Sequence, residues 1–170
     1  HATSRLPALA KRAGTAAVEQ MQVDARRIAK LPTAIVVDLD ETVLDNSVYQ
    51  ARRAAAGLDY DDASWQAWME EAGAGALPGA HDFLWAAARA GHKVFYVTNR
   101  QCLAKFARTD DACPAKTATV RNLAALDLPQ VSEPDAVTLR GERPDWESGD
   151  KSVRRTWIAA RYRIIALVGD

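Results

Sequence analysis

Two carboxylates lie two residues apart in Val37-Asp38-Leu39-Asp40-Glu41-Thr42, directly after the solid apolar run Ala34-Ile-Val-Val37. In an extended chain alternate side chains share a side, so Asp38 and Asp40 can face one small volume. Unpaired carboxylates repel, and a divalent cation relieves that repulsion. Hard oxygen ligands select Mg²⁺ or a similar ion. A second apolar run, Lys93 to Val97, ends in a hydroxyl and an amide, Thr98 and Asn99. Lys151 opens a predicted helix and supplies a point cation, and Asp170 follows a last apolar run as a third carboxylate. A metal and a lysine would offset a phosphate and an attacking anion, while a hydroxyl and backbone amides orient it. That is the equipment of phosphoryl transfer through a carboxylate nucleophile.

Each piece has an ordinary reading. An Asp pair after a strand is often a turn, Thr-Asn-Arg often caps a helix, and Lys151 beside Arg154 and Arg155 resembles a solvated helix face. The chemistry rests on their coincidence, so the elements must place them together. Residues 2–30 read as one helix that ends before Pro32. Residues 34–38 are a strand of the kind buried on both faces of a parallel sheet, and 40–47 a loop. Residues 48–77 form a small helical insert, with Asp61-Asp62-Ala-Ser64 capping a helix that carries Trp65 and Trp68. Helix 80–89, strand 93–97, helix 116–125, strand 136–139, polar loop 141–149, helix 151–161 and strand 163–168 complete the chain. Alternation of this kind predicts a doubly wound α/β fold with a parallel sheet, whose ligands sit at the carboxyl ends of the strands. Those ends carry Asp38, Asp40, Thr98 and Asp170.

Composition narrows the function classes. The 170 residues hold 22 Lys+Arg against 22 Asp+Glu and are 48% hydrophobic. That length suits a single domain with an insert. A formal net charge of zero, without a basic stripe, argues against a nucleic-acid polymer as partner. No apolar run approaches the roughly 20 residues of a membrane span. Cys102 and Cys113 could close a short loop in an oxidising compartment or stand as two free thiols. A chain that starts at His1 and stops at Gly169-Asp170 leads us to expect a removed leader and a further C-terminal segment.

Asp38-Leu-Asp-Glu-Thr-Val-Leu-Asp-Asn-Ser47 resembles the first motif of the haloacid dehalogenase superfamily, Asp-x-Asp-x-Thr. Extended by Tyr49, it is similar to the class C bacterial acid phosphatases, including the outer-membrane lipoprotein type. Further matches are Ser64-Trp-Gln-Ala-Trp68 followed by Leu77-Pro-Gly-Ala80, then Phe95-Tyr-Val-Thr-Asn-Arg100. Lys151-Ser-Val-Arg-Arg155, Tyr162-Arg-Ile-Ile165 and Gly169-Asp170 complete the set. Plant vegetative storage proteins share the last pattern.

The resemblance spans about residues 30–170 and implies a Rossmann-like core with a cap insert at about 48–77. Residues 1–33 would be a helix packing on it. It further implies roles. Asp38 would be the nucleophile, forming an aspartyl-phosphate. Asp40 would protonate the leaving alcohol and then activate water, which predicts an acidic pH optimum. Thr98 would hold the phosphoryl group with Asn99 beside it, and Lys151 would neutralise the charge. Asp38, the backbone carbonyl of Asp40, and Asp170 would bind Mg²⁺. Thr42 is expected at the substrate. Trp65 or Trp68, or Tyr49, would offer a face to a nucleotide base or nicotinamide ring, Tyr49 and Trp65 being the expected substrate residues, against the plainer reading that the two tryptophans hold the cap together.

The expected function is a metal-dependent acid phosphatase acting on small phosphomonoesters, nucleoside monophosphates above all. It would be exported to the periplasm or outer membrane, and an oligomer is compatible with the sequence. The alternative is a non-catalytic surface or storage-type protein of the same fold that binds phosphate or nucleotide. Storage-type relatives often lack the nucleophile, and Asp38 is present. A receiver-like phosphoacceptor fits worse, because it lacks an Asp-x-Asp strand end followed by a helical insert.

Overall fold

Alternating apolar and polar runs become alternating strands and helices. The computed structural model describes residues 17, 19–102 and 111–169; the expected ligand Asp170 and most of the first predicted helix lie outside them. Helix α1 covers residues 19–29 and leaves Met21, Val23 and Ile28 exposed. The order continues β1 (Thr33–Val37), β2 (Leu44–Asp45), α2 (Ser47–Ala55), α3 (Asp62–Glu71), β3 (Gly75–Ala76), α4 (Ala80–Arg89) and β4 (Lys93–Gln101). After these come α5 (Pro114–Ala125), β5 (Val137–Arg140), a 3₁₀ turn (Pro144–Trp146), α6 (Ser152–Ala159) and β6 (Arg163–Val168).

The main sheet runs β5-β4-β1-β6 with all pairings parallel. Period-two alternation splits its strands between two cores. Ile35, Val37, Val94 and Tyr96 pack with Leu84 and Ala87 of α4 and with Leu123 of α5. Ala34, Val36, Phe95 and Val97 pack with Ile158 of α6 on the opposite face. Covering both faces explains why β1 reads as an unbroken apolar run. The edge strand β6 keeps Ile165 and Leu167 exposed.

Two departures from the sequence reading bear on the site. The segment read as a loop contains β2, which pairs antiparallel with β3 and so ties together the two ends of the helical insert. Two-residue strands carry too little pattern to be read from sequence. The insert is not isolated, since Leu44, Tyr49, Trp68 and Ala74 belong to the same buried cluster as one face of the sheet. The second departure is in β4, which runs on to Gln101, with its register against β5 shifting between Thr98 and Gln101. Cys102, at the end of that strand, is disulfide-bonded to Cys113, the residue before α5.

Candidate active site

The main chain of β1 delivers the first two carboxylates. The Asp38 N–H donates to the Val168 carbonyl at 2.9 Å, so the nucleophile candidate continues the sheet between its neighbours. Its Oδ1 accepts from the Leu39 N–H at 2.7 Å, and its Oδ2 meets Nζ of Lys151 in an ion pair. Gly169 comes so near that a Cβ placed on it would lie 3.4 Å from the Asp38 Cβ. A cleft of about 230 Å³ lies here, lined by Asp38, Lys151, Arg155 and Gly169 among others.

Asp40 faces a different set of partners. Its Oδ1 accepts from Arg100 Nη2 at 2.7 Å and from Asn46 Nδ2 at 3.0 Å. Arg100 Nε spans both oxygens at 3.2 and 3.1 Å, and the Thr98 hydroxyl donates to Oδ2 at 3.4 Å. Arg100 reaches this position by period-two alternation in β4, which leaves Asn99 exposed and turns Arg100 inward on the same side as Thr98. The inward guanidinium is 1% exposed and also donates to Thr119 of α5 at 3.1 Å.

A second buried arginine lies beneath the strand end. Arg154 on α6 donates to the Thr98 carbonyl, and at 2.6 Å to Oδ1 of Asn99, fixing the backbone from which the Thr98 hydroxyl projects. Burial pulls the Arg154 pKa below its ordinary value, and the charge of Asp38 pushes it back up. Two buried guanidinium groups and Lys151 thus give this end of the sheet a positive field.

The four residues expected to be catalytic therefore stand at one end of the sheet as two pairs, Lys151 on Asp38 and Thr98 on Asp40. Asn99 stands beside them. The Thr42 hydroxyl is buried without a hydrogen-bond partner. Tyr49 is buried, its hydroxyl 3.0 Å from that of Ser64, its ring edge-on to Trp65 at 5.2 Å and stacked near Trp68 at 6.1 Å. Tyr49 and Trp65 line a cavity of about 820 Å³ with Glu41, Arg53 and the exposed Tyr60. The sequence reading missed Asn46, Arg100 and Tyr60. Arg100 was in view as the third letter of Thr-Asn-Arg, but with the strand ended at Val97 the period-two rule that puts it beside Thr98 is not applied to it.

For a cation, the described residues offer hard oxygen donors, the Asp38 carboxylate and the Asp40 main-chain carbonyl. No group of three ligating acidic, His or Cys side chains gathers among the described residues. The donor chemistry fits an ion of the Mg²⁺ class.

Paired carboxylates after the central strand of a doubly wound sheet, a hydroxyl on the next strand and a lysine at the last helix define a core of the haloacid dehalogenase type. The family described as HAD superfamily, subfamily IIIB (acid phosphatase) matches residues 9–170, and the chain belongs to it. Among solved structures it is similar to the class C acid phosphatase from Bacillus anthracis with tungstate bound, at 32% identity and a TM-score of 0.69, covering 89% of this chain and 58% of that one. Another structure of the class C acid phosphatase from Bacillus anthracis matches at 32% identity and a TM-score of 0.66, over 86% of this chain and 56% of that one. The chain thus spans less than two thirds of these relatives.

Proposed function

We propose that this chain carries the chemistry of an acid phosphatase that hydrolyses small phosphomonoesters through an aspartyl-phosphate, with nucleoside monophosphates as its preferred class. One observation carries the reading: a lysine and a threonine hydroxyl converge on two aspartates that share one strand end. The family match and the tungstate of the Bacillus anthracis relative, a tetrahedral oxyanion, support it.

In the first half, the Asp38 carboxylate attacks phosphorus and the ester P–O bond breaks. The leaving oxygen takes a proton from Asp40. In the second half, Asp40 accepts a proton from water as its oxygen attacks phosphorus, and inorganic phosphate leaves with Asp38 restored. Lys151 balances the charge gathered around Asp38, and the Thr98 hydroxyl, whose contact to Asp40 is long at 3.4 Å, turns to donate to a phosphoryl oxygen when substrate binds. Asp38 and the Asp40 carbonyl, with Asp170, would hold Mg²⁺, which supplies further positive charge beside the transferring group. The aromatic cavity takes the leaving group; its volume of about 820 Å³ is ample for a nucleoside, and Trp65 and Tyr60 offer ring faces to a base. Export is part of the same proposal, and the Cys102–Cys113 disulfide supports it, since such bonds persist in oxidising compartments.

The test is phosphate release from p-nitrophenyl phosphate and a nucleoside monophosphate panel at pH about 5.5, with Mg²⁺ or EDTA, in the full-length protein. Turnover that EDTA abolishes and Asp38→Asn eliminates is the expected result. Absence of turnover with phosphate or nucleotide still bound would make the protein a binding member of the fold.

A further inference from the structure

We propose that Asn46 is a positioning residue for Asp40, and that its orientation is set from the cap by the indole N–H of Trp68. This rests on the reading of Asp40 as the group that exchanges protons with the leaving oxygen and water. Asn46 occupies the N-cap position of α2, where an asparagine side chain ordinarily accepts from the helix's first amides. Here it caps nothing. The side chain is instead fully buried and turned toward the strand end.

Its three hydrogen bonds leave the amide one orientation. Trp68 Nε1 donates to Asn46 Oδ1 at 2.8 Å, and Asn46 Nδ2 donates to Asp40 Oδ1 at 3.0 Å and to Glu41 Oε1 at 3.1 Å. An indole can only donate, and the two carboxyl oxygens that face Nδ2 accept from it. Turning the amide over would set its N–H groups against the indole N–H and its oxygen against two carboxylates. A buried N–H thus fixes which end of Asn46 faces Asp40.

The effect on Asp40 is atom-specific. Its Oδ1 takes N–H donors from Arg100 Nη2 at 2.7 Å, Asn46 at 3.0 Å and Arg100 Nε at 3.2 Å, none of which gives up a proton in ordinary chemistry. Oδ2 has neither Asn46 nor Arg100 Nη2 and keeps two contacts, Arg100 Nε at 3.1 Å and the Thr98 hydroxyl at 3.4 Å. Oδ2 is therefore the oxygen that passes its proton to the leaving oxygen as the P–O bond breaks and the bond to Asp38 forms. Asn46 holds the carboxyl in the rotation that presents Oδ2. Trp68 also stacks near Tyr49, a wall of the cavity assigned to the leaving group, so cap and acid are mechanically joined.

The test compares kcat/KM for p-nitrophenyl phosphate and for para-nitrobenzyl phosphate in the full-length protein. The two esters are close in size, but the phenolate departs with little protonation and the alkoxide needs it. Trp68→Phe keeps a ring in place and removes only the N–H; Asn46→Ala removes the link itself. For Trp68→Phe we expect the benzyl ester to lose about tenfold and the phenyl ester less than about threefold. Asp40→Asn should separate the two esters further in the same direction. Equal losses on both esters in Trp68→Phe, alongside separation in Asp40→Asn, would reduce Asn46 and Trp68 to structural roles. If Asp40→Asn itself fails to separate them, the role of Asp40 falls, and this proposal with it.

Discussion

Lys151 and Arg154 are three residues apart on one helical segment, yet they should fail differently when the charge is removed. Lys151 is only partly buried and meets the Asp38 carboxylate at the mouth of a cleft. Lys151→Met should lower kcat/KM by about a hundredfold, the scale of losing one preorganised electrostatic donor, and leave urea unfolding almost unchanged. Arg154 is wholly buried and supports the backbone at Thr98 and Asn99 from below. Arg154→Met strands the buried Thr98 carbonyl and should cost about 2 kcal/mol of stability in the same unfolding experiment. Equal rate losses with no difference in stability would contradict this division. At this scale the sequence displayed the residues whose types imply chemistry. Asp38, Asp40, Thr98 and Lys151 all reach the same end of the sheet. It did not display Asn46, because an asparagine before a helix has an ordinary explanation as a cap. Only the burial of its side chain shows that the cap is not made.

Among elements, the helix starts explain why a protein of this kind could tolerate acid. An aspartate precedes four of the helices and accepts from amides at their starts, within the first turn of α2, α3 and α6 and at the residue before α5. Asp45 accepts from the Ser47 N–H, Asp61 from Ala63 and Ser64, Asp111 from Cys113, and Asp150 from Ser152. The hydroxyls of Ser47, Ser64 and Thr117 and then these amides hold Asp45, Asp61 and Asp111 below the ordinary aspartate value of 3.8, and the Ser152 amide and then its hydroxyl do the same for Asp150. A group whose folded pKa is depressed gives stability that is complete above its unfolded pKa and is lost as pH falls through the folded one. The four should therefore stabilise the protein fully at mildly acidic pH and begin to fail only below 3.8. Thermal midpoints measured from neutral pH downward should show that late decline, and Asp61→Asn should make it shallower. A fall centred well above pH 4 that Asp61→Asn leaves untouched would assign acid lability elsewhere. One of these caps is readable in the sequence: Asp61-Asp62-Ala-Ser64 is expected to start the cap helix, and Asp61 does. The β2–β3 stem and the shift in β4 are not readable, since both are long-range pairings that local periodicity does not encode.

Across the whole molecule, α5 connects parts that the sequence keeps far apart. Its Thr119 holds Arg100, which holds Asp40. Its Asn122 donates to the Ala74 carbonyl at 2.8 Å, and its Arg121 donates to the Glu70 carbonyl, so the same helix grips the cap. The alternation of runs foretold a sheet covered on both faces, because two-sided burial writes itself into composition. It could not foretell that one covering helix would carry this linkage. The disulfide anchors the beginning of that helix to the end of β4, closing a loop between residues separated by 11. A loop of this length limits the unfolded chain by about 3 kcal/mol in the chain-entropy account. Replacing both cysteines by serine should lower the thermal midpoint accordingly, and dithiothreitol should lower it by the same amount in the parent protein and not at all in the variant. Because Arg100 leans on α5, kcat/KM measured after reduction should fall at temperatures below the onset of global unfolding. Activity that tracks global unfolding alone would mean that the disulfide secures the fold without acting on the site.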